Sequence, residues 1–269
     1  MIDSNNKQSK NGKKTTSKDD WESHWSLYSN SASENPAQRY RHRLILNEIQ
    51  KLLVPGQPLN LLDIGCGQGD LLLKISKRFP EIALAGFELS KSGVQQTLKK
   101  VPLATILQED VLLPKADTSK FFGWADVVCC SEVLEHVDDP TAFLNAITSY
   151  CRPQGYLLIT VPGGPMSAFD KHIGHRQHFN RKSLGELIYS TKIIKPVKLC
   201  SSGFPFFNLY RLLVIMRGSK LQNDVQSGES GHQNWFASLV MKTFHPLFYL
   251  NLLNSFWGWQ MMAVLKIVK

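Results

Sequence analysis

A short segment of the chain, LLDIGCGQGD, could bind a ligand through its backbone. An apolar run there is followed by three glycines at alternate positions, Gly65, Gly67 and Gly69. Glycine permits a tight strand-to-helix turn and lets a ligand approach the main chain, and the following helix offers free N–H groups at its first turn. Because glycine-rich turns serve several ligand classes, the residues around this one must decide which ligand fits.

Two acids favour a nucleoside. Glu88 ends the next strand-like run, 19 positions beyond Gly69, where a carboxylate can accept hydrogen bonds from both hydroxyls of a ribose. Asp110, which ends the third strand-like run in QEDV, could accept from an adenine amino group, with Val111 against the ring. A dinucleotide site would need a glycine at the position of Asp70, whose carboxylate would face the pyrophosphate. This disfavours a nicotinamide-dependent oxidoreductase, which stays as an alternative.

The elements that must position these residues alternate along the chain. Residues 37–53 have the apolar spacing of an amphipathic helix, and from residue 59 strand-like and helix-like segments follow one another. Runs such as ADVVCC are continuously apolar, which is typical of strands covered on both faces by helices. The pattern predicts a doubly wound α/β fold, in which ligands bind at the carboxyl ends of the strands.

At this point the sequence resembles the class I S-adenosylmethionine-dependent methyltransferases. The segments that carry the resemblance are LLDIGCGQGD, GFELS, QEDV and DVVCCSEVLEHVDDP, and the last is especially similar to the ubiquinone-biosynthesis type of small-molecule methyltransferase. The resemblance covers roughly residues 37–200. It implies a Rossmann-like sheet of seven mostly parallel strands, the last one antiparallel, and S-adenosylmethionine as the cofactor.

The resemblance also implies roles for individual residues around the cofactor. The methionine part would be held by Asp63 and by the turn Gly65, Gly67 and Gly69, and the ribose hydroxyls by Glu88. The adenine would contact Leu89, Asp110 and Val111, and Ser131 would lie beside the sulfonium.

Three histidines are candidates for the proton acceptor that methyl transfer to a hydroxyl requires, because the pKa of histidine lies near neutral pH. His136 ends the segment SEVLEH, whereas His175 and His178 lie in a glycine- and proline-containing loop after the fifth strand, together with His172. We expect His175 or His178 to be the base or an anchor for the acceptor, and a structural role for His136.

A metal-dependent reaction is the alternative for the same region. Glu132, Glu135 and His136 have the i, i+3, i+4 spacing of neighbours on one helical face, and a later histidine could complete a site. This arrangement is similar to that of the metal-dependent small-RNA 2′-O-methyltransferases. The same EVLEH pattern occurs in metal-independent relatives, and the sequence contains no evident RNA-binding module, so we expect neither a metal ion nor a nucleic-acid partner.

An apolar, aromatic-rich insert interrupts the connection between the predicted sixth strand, 195–202, and the seventh, 258–269. Residues 203–256 are expected to form helices, either as a cap over the active edge of the sheet or as a peripheral contact with a membrane. The insert favours a bulky or partly hydrophobic acceptor, so the predicted reaction is O-methylation of a small or lipid-linked molecule.

Composition sets the outer limits of the prediction. The net charge is +9, and part of the excess lies in residues 1–20, a polar, lysine-rich segment that we expect to be a disordered tail before a methyltransferase domain at 21–269. Five cysteines without metal-site spacing indicate a reduced, cytoplasmic protein. Charged and polar residues interrupt the C-terminal apolar region, so no transmembrane segment is expected. The oligomeric state stays open.

Overall fold

The computed structural model describes residues 19–22, 25, 35–226 and 235–268. The strands are Asn60–Ile64 (β1), Ala83–Glu88 (β2), Thr105–Gln108 (β3), Ala125–Ser131 (β4), Cys151–Pro162 (β5), Ile194–Ser202 (β6) and Gln260–Ile267 (β7). The helices are Pro36–Leu52 (α1), Asp70–Arg78 (α2), Lys91–Lys100 (α3), Pro140–Thr148 (α4), Ala168–His172 (α5), Arg181–Ser190 (α6), Phe206–Gln226 (α7) and Trp235–Leu247 (α8). Short 3-10 helices lie at Ala116–Phe121, Leu134–His136 and Phe248–Leu250.

All seven strands form one sheet in the order β3-β2-β1-β4-β5-β7-β6. The first five strands are parallel, and β7 pairs antiparallel with both β5 and β6. Two clusters of buried apolar side chains cover the sheet, one on each face. The doubly wound α/β fold and the helical insert between the sixth and seventh strands are therefore confirmed.

Helix α1 illustrates how local sequence forms an element. The Asn35 side chain accepts a hydrogen bond from the backbone N–H of Ala37 (2.9 Å), and Pro36 occupies the first helical position, where its missing N–H costs nothing. The apolar face predicted from sequence is buried, with Ile45 and Ile49 fully enclosed. Burial of this stripe holds α1 against the sheet next to α2.

Three boundaries differ from the predicted ones, and two of them move site residues. Strand β3 ends at Gln108, so Asp110 and Val111 lie in the following turn rather than in the strand. The helix that the sequence predicts over residues 140–151 ends at Thr148 (α4), and Cys151 already belongs to β5. Glu132 has a positive φ of 57° and directly follows β4, which ends the regular structure before the 3-10 helix Leu134–His136. These changes come from turns that apolar periodicity does not encode.

The insert consists of α7, α8 and the 3-10 helix Phe248–Leu250, with residues 227–234 outside the described part of the chain. Among the described residues, no helix combines the length and apolarity needed to cross a bilayer. The predicted tail lies almost wholly outside the described residues, apart from Asp19 and Asp20. The five cysteines are free and buried.

Candidate active site

The glycine turn after β1 brings bare backbone to the carboxyl edge of the sheet. Gly67 has a φ of 57°, in the left-handed region, and a Cβ at this position would overlap the indole of Trp25. Gly69, with a φ of 80°, directly precedes the first residue of α2. The turn therefore tolerates only glycine at the point where another group lies against the main chain.

Glu88 ties the end of β2 to this turn. Its side chain is buried, and its two carboxylate oxygens accept hydrogen bonds from the backbone N–H groups of Gly67 (2.8 Å) and Ser90 (3.0 Å). Burial raises the pKa of the Glu88 carboxyl, and the backbone donors act in the opposite direction. The carboxylate thus sits at the centre of the predicted nucleoside region.

Asp63, on β1, is a second buried acid beside the turn. Burial, with a smaller contribution from the nearby Glu88, raises the pKa of Asp63 to about 8. Two desolvated carboxyl groups beside this turn fit a ligand that carries positive charge and hydroxyl groups, such as a sulfonium nucleoside with an ammonium group. They do not fit a pyrophosphate, because its negative charge would add to theirs.

The other residues expected around the cofactor lie at neighbouring strand ends, with different surroundings. The half-buried Leu89 follows β2, and its carbonyl accepts from the Gln108 side chain (2.9 Å). The Asp110 carboxylate accepts from the backbone N–H of Leu112 (3.0 Å) and so stabilises its own turn. Val111 is buried in the core cluster that contains Phe87. Ser131, the last residue of β4, exchanges a hydrogen bond with Thr160 on β5 (2.8 Å).

A hydrogen-bonded pair of histidines lies in the loop after β5. The Nδ1 atom of His178 is 3.1 Å from the carbonyl oxygen of Gly164, and its Nε2 is 3.1 Å from Nδ1 of His175. A carbonyl only accepts, so Nδ1 of a neutral His178 carries its proton and its Nε2 accepts from His175. This assignment leaves the Nε2 lone pair of His175 unprotonated, which is the form a general base requires.

Both histidines are held neutral by their surroundings. Burial lowers the pKa of His175 to about 3, although the nearby negative charge of Asp170 acts to raise it. Burial also lowers the pKa of His178. The Asp170 carboxylate accepts from the guanidinium of Arg211 (2.8 Å) and lies 3.8 Å from His178 Nε2. Arg211 belongs to α7, so the insert contributes directly to this side of the site.

Glu135 is a buried acid that the sequence analysis considered only for a metal site. Its side chain is fully buried, and neither of its oxygens has a hydrogen-bond partner among the described residues. Burial, followed by the charge of Glu132, raises its pKa well above the usual range. His136 Nε2 lies 3.9 Å from one of its oxygens, and the His136 ring meets that of His175 edge-on at 4.6 Å.

The expected helical face of acids is wrong in its geometry, because the φ of 57° at Glu132 turns the backbone out of a helix before the 3-10 turn begins. Instead, Glu132 contacts elements far away in sequence. Its carboxylate accepts from Gln260 of β7 (3.0 Å) and pairs with Arg41 of α1 (3.5 Å). The fold nevertheless offers two sets of possible metal ligands, each with ligand atoms within 4.8 Å of one another: Glu135, His136 and His175, and Asp170, His175 and His178.

An N-terminal segment that the sequence analysis did not implicate lies across this edge of the sheet. We call residues 19–22 and 25 the strap. Asp19 pairs with Arg176 (2.9 Å), and Trp21 packs edge-on against His136 at 4.7 Å. Glu22 accepts from the backbone N–H of Lys91 (2.8 Å) at the start of α3. Two tryptophans and three acids just past a lysine-rich stretch were the available signal.

The strap touches both parts of the candidate site. Trp25 lies against Gly67 of the glycine turn, and its carbonyl accepts from the Gln96 side chain (3.2 Å). Asp19 and Trp21 lie beside the histidines. The strap would therefore cover both a ligand bound at the glycine turn and a ligand bound at the histidines.

Comparison with known proteins identifies a family for this chain. A family model described as a methyltransferase domain matches residues 37–190. A ubiquinone biosynthesis O-methyltransferase from Aeromonas salmonicida (strain A449) is 28% identical over 183 residues, which are 67% of this chain and 75% of that protein. A malonyl-[acyl-carrier protein] O-methyltransferase from Halalkalibacterium halodurans is 28% identical over 141 residues, covering 50% of this chain and 51% of that protein.

Among solved structures, the plantazolicin methyltransferase BpumL in complex with SAH is similar in fold. The match has a TM-score of 0.55 at 17% identity and covers 91% of this chain and 88% of that one. At this identity the similarity concerns the fold, and it covers a larger share of the chain than residues 37–190.

Proposed function

The chain belongs to the methyltransferase-domain family, and we propose that it methylates an oxygen atom of a small organic acceptor, with His175 as the proton acceptor. Its methyl donor is S-adenosylmethionine. The observation that carries the proposal is the chain of hydrogen bonds from the Gly164 carbonyl through His178 to His175, which leaves a neutral imidazole nitrogen able to accept a proton.

On the cofactor side, each residue has a separate task. Glu88, oriented by the N–H groups of Gly67 and Ser90, accepts from the ribose hydroxyls. Asp63 would face the ammonium group of the methionine part, which would favour the ionised form of its carboxyl, and Ser131 would lie beside the sulfonium. Leu89, Asp110 and Val111 would line the adenine. These assignments combine the predicted roles with the burial and charge described above.

A bound cofactor would supply an activated methyl group for the acceptor oxygen to attack, and its sulfur would keep the electron pair of the C–S bond that breaks. His175 Nε2 takes the proton that the hydroxyl loses. His175 can pass its own Nδ1 proton to Nε2 of His178, where the Asp170 carboxylate at 3.8 Å stabilises the resulting cation. The strap covers part of this side of the site, through the contacts of Trp21 with His136 and of Asp19 with Arg176.

The need for a base favours a hydroxyl acceptor over a carboxylate. A carboxylate is already ionised at neutral pH and attacks without losing a proton. With a carboxylate acceptor, the histidine pair would therefore have no proton to accept. Two relatives carry O-methyltransferase in their names, which agrees with transfer to oxygen. A small or lipid-linked hydroxyl compound is therefore the acceptor class we propose. Family membership removes the nicotinamide-dependent alternative.

A second candidate mechanism uses a divalent cation. The two unpartnered oxygens of the buried Glu135, with His136 and His175 in ligand range, are the observation that favours it. A cation there would satisfy Glu135, orient the acceptor oxygen and promote loss of its proton. His175 would then be a ligand instead of the base. Loss of activity in chelator, with recovery on adding Mg²⁺ or Mn²⁺, would select this mechanism over the histidine pair alone.

Transfer of labelled methyl groups tests the function and the acceptor class together. Purified protein is incubated with methyl-labelled S-adenosylmethionine and host extract, and the label is partitioned between organic solvent, aqueous small molecules and RNA. We expect label in one of the two small-molecule fractions, and loss of that label with His175→Gln. Label in RNA would instead support the small-RNA alternative. No label above the protein-free control would contradict the proposal.

A further inference from the structure

Exposed apolar side chains are concentrated in the segment that leads into β7. Between 51% and 88% of each of these side chains is exposed: Tyr249, Leu250, Leu252, Leu253, Phe256 and Trp257. We call residues 249–257 the apolar loop. Single exposed apolar residues are common, but six in one short segment form a patch of the kind that marks an interaction surface.

The backbone of the apolar loop is held in place, so the exposure does not come from an unattached segment. Asn251 Oδ1 accepts from the backbone N–H of Phe206 (2.8 Å), and the N–H of Ser255 donates to the Ser201 carbonyl (2.7 Å). The N–H of Leu252 donates to the Phe204 carbonyl (2.8 Å). These contacts turn the polar groups inward and the apolar side chains outward.

A basic cavity of about 410 Å³ adjoins one end of the loop. We call it the basic groove. Its basic lining residues are Arg39, Arg43, Lys74, Arg78 and His245. Among the described residues, no Asp or Glu lines it. Tyr249 belongs to both surfaces, because it lines the groove and is the first residue of the loop.

An arginine lies over an aromatic ring near each end of the apolar loop. The Arg43 guanidinium is 3.9 Å from the ring centre of Tyr249, and the Arg181 guanidinium is 4.9 Å from that of Phe256. Aromatic rings with adjacent cations suit the boundary between lipid chains and anionic headgroups, where the ring is partly buried and the cation stays hydrated.

We propose that the apolar loop and the basic groove together form a docking surface for an anionic phospholipid bilayer, with a lipid phosphate in the groove. The net charge of +9 assists the approach to such a surface. A second copy of this chain is a poorer occupant, since a symmetric contact through this face would bring arginines against arginines. The loop leads into β7, whose first residue, Gln260, contacts Glu132, so docking holds the acceptor side of the site at the bilayer.

Vesicle flotation with the full chain tests the proposal. Vesicles of phosphatidylcholine alone are compared with vesicles of phosphatidylcholine mixed with phosphatidylglycerol, and the floated fraction of protein is measured. We expect binding to the anionic vesicles only, falling as salt is raised. Arg43→Glu and Arg78→Glu should each weaken binding by about fivefold or more, because a cation near the surface is replaced by an anion. Phe256→Ser combined with Trp257→Ser should weaken it similarly.

Matched controls separate docking from folding and from general charge. Lys192→Glu makes the same charge change on an exposed residue away from the proposed surface, and Leu103→Ser removes an apolar side chain that is 99% exposed elsewhere; both should bind like the wild type. S-adenosylhomocysteine binding should stay unchanged in all variants, which shows that they are folded. Equal binding to neutral and anionic vesicles, or wild-type binding by the loop and groove variants, would overturn the proposal. A dimer in solution that the loop variants disrupt would also overturn the proposal, because it would show that a second copy of the chain occupies this surface.

Discussion

The candidate site has two parts that are built in different ways. We call the glycine turn with Glu88 and Asp63 the proposed cofactor half, and the histidine pair with Glu132 and Glu135 the proposed acceptor half. On the cofactor half, the glycine turn and Glu88 lie within 25 residues of each other and are joined through backbone N–H groups. On the acceptor half, Glu132 contacts Arg41 of α1 and Gln260 of β7, and the histidine pair lies beside Arg211 of the insert. One half depends on neighbouring strand ends, whereas the other is assembled from distant parts of the chain.

This difference explains how a fold can keep one cofactor while changing its acceptor. Substitutions in α7 or in the loop after β5 can reshape the acceptor half, and the glycine turn and its buried acids need not move. It also implies that a substitution can impair one half of the site and leave the other intact. The predictions below aim to separate them, in order of decreasing expected effect.

The largest expected effect is on the rate of methyl transfer when the proton acceptor is removed. His175→Gln should lower kcat by about 10²-fold or more, because the hydroxyl then loses its proton without a positioned base, while the affinity for S-adenosylhomocysteine stays within twofold. His178→Gln should lower kcat less, because His178 acts through His175 and does not itself take the proton from the hydroxyl. The exposed His172→Gln is the matched control. Wild-type kcat in both variants would remove the loop from proton transfer.

The corresponding change on the cofactor half is Glu88→Ala. We expect weaker binding of S-adenosylhomocysteine by roughly 1–3 kcal/mol, the cost of losing hydrogen bonds to a charged acceptor. Titration calorimetry measures it, with the exposed Glu81→Ala as control. Since Glu88 also accepts from two backbone N–H groups, Glu88→Gln serves as the milder variant and should weaken binding in the same direction. Unchanged affinity would exclude the ribose role.

Asp63→Asn should stabilise the ligand-free protein and weaken cofactor binding. The folded state raises the Asp63 pKa from 3.8 to about 8 and so holds its proton more tightly than the unfolded chain. Stability is therefore lost as pH rises between these two values, at about 1.4 kcal/mol for each unit of pKa difference. Asparagine removes that loss, so we expect a free energy of unfolding higher by about 2 kcal/mol or more at pH 8 and little difference at pH 4.

Urea unfolding of the wild type and of Asp63→Asn at the two pH values measures this effect. The same variant should bind S-adenosylhomocysteine more weakly, because the ammonium group then faces a neutral amide. A variant that is less stable than the wild type at pH 8 would show that the carboxylate is satisfied within the protein and is not reserved for a cationic ligand.

The smallest expected effect concerns the strap, which covers both halves. Glu22→Ala removes a carboxylate at the N-terminus of α3, an interaction worth about 0.3–1 kcal/mol. Cofactor affinity should fall by less than about fivefold, because Trp25 keeps its other contacts. The exposed Glu186→Ala on α6 is the control. A loss as large as that of Glu88→Ala would mean that the strap is itself part of the cofactor site.

The positions of the glycine turn and Glu88 in the fold were easier to predict from the sequence than the surroundings of the histidines, for a physical reason. Gly65, Gly67 and Glu88 follow strands whose apolar runs are visible in the sequence, and parallel strands bring their carboxyl ends to one edge. The strand end at Gln108 and the positive φ at Glu132 come from turns without such a periodic signal. For this reason the sequence did not predict the turn that contains Asp110, and it wrongly predicted a helical face of acids at Glu132.

The acceptor half contained more that sequence could not reveal. The burial of Glu135 depends on residues from several distant elements, and nothing in EVLEH distinguishes a buried acid from an exposed one. The strap was missed because Trp21 and Trp25 follow a polar, lysine-rich stretch that has the composition of a tail. Their contacts with His136 and Gly67 are long-range, and only packing decides them.

The most direct test of the account is to measure methyl transfer and cofactor binding side by side in the wild type, His175→Gln and Glu88→Ala. With extract as the source of acceptor, the account predicts that His175→Gln binds S-adenosylhomocysteine like the wild type but transfers almost no label. Glu88→Ala should bind weakly and recover much of its transfer at high S-adenosylmethionine concentration. If His175→Gln transfers label at the wild-type rate, or if both variants lose binding together, the division into a cofactor half and a proton-accepting half is contradicted.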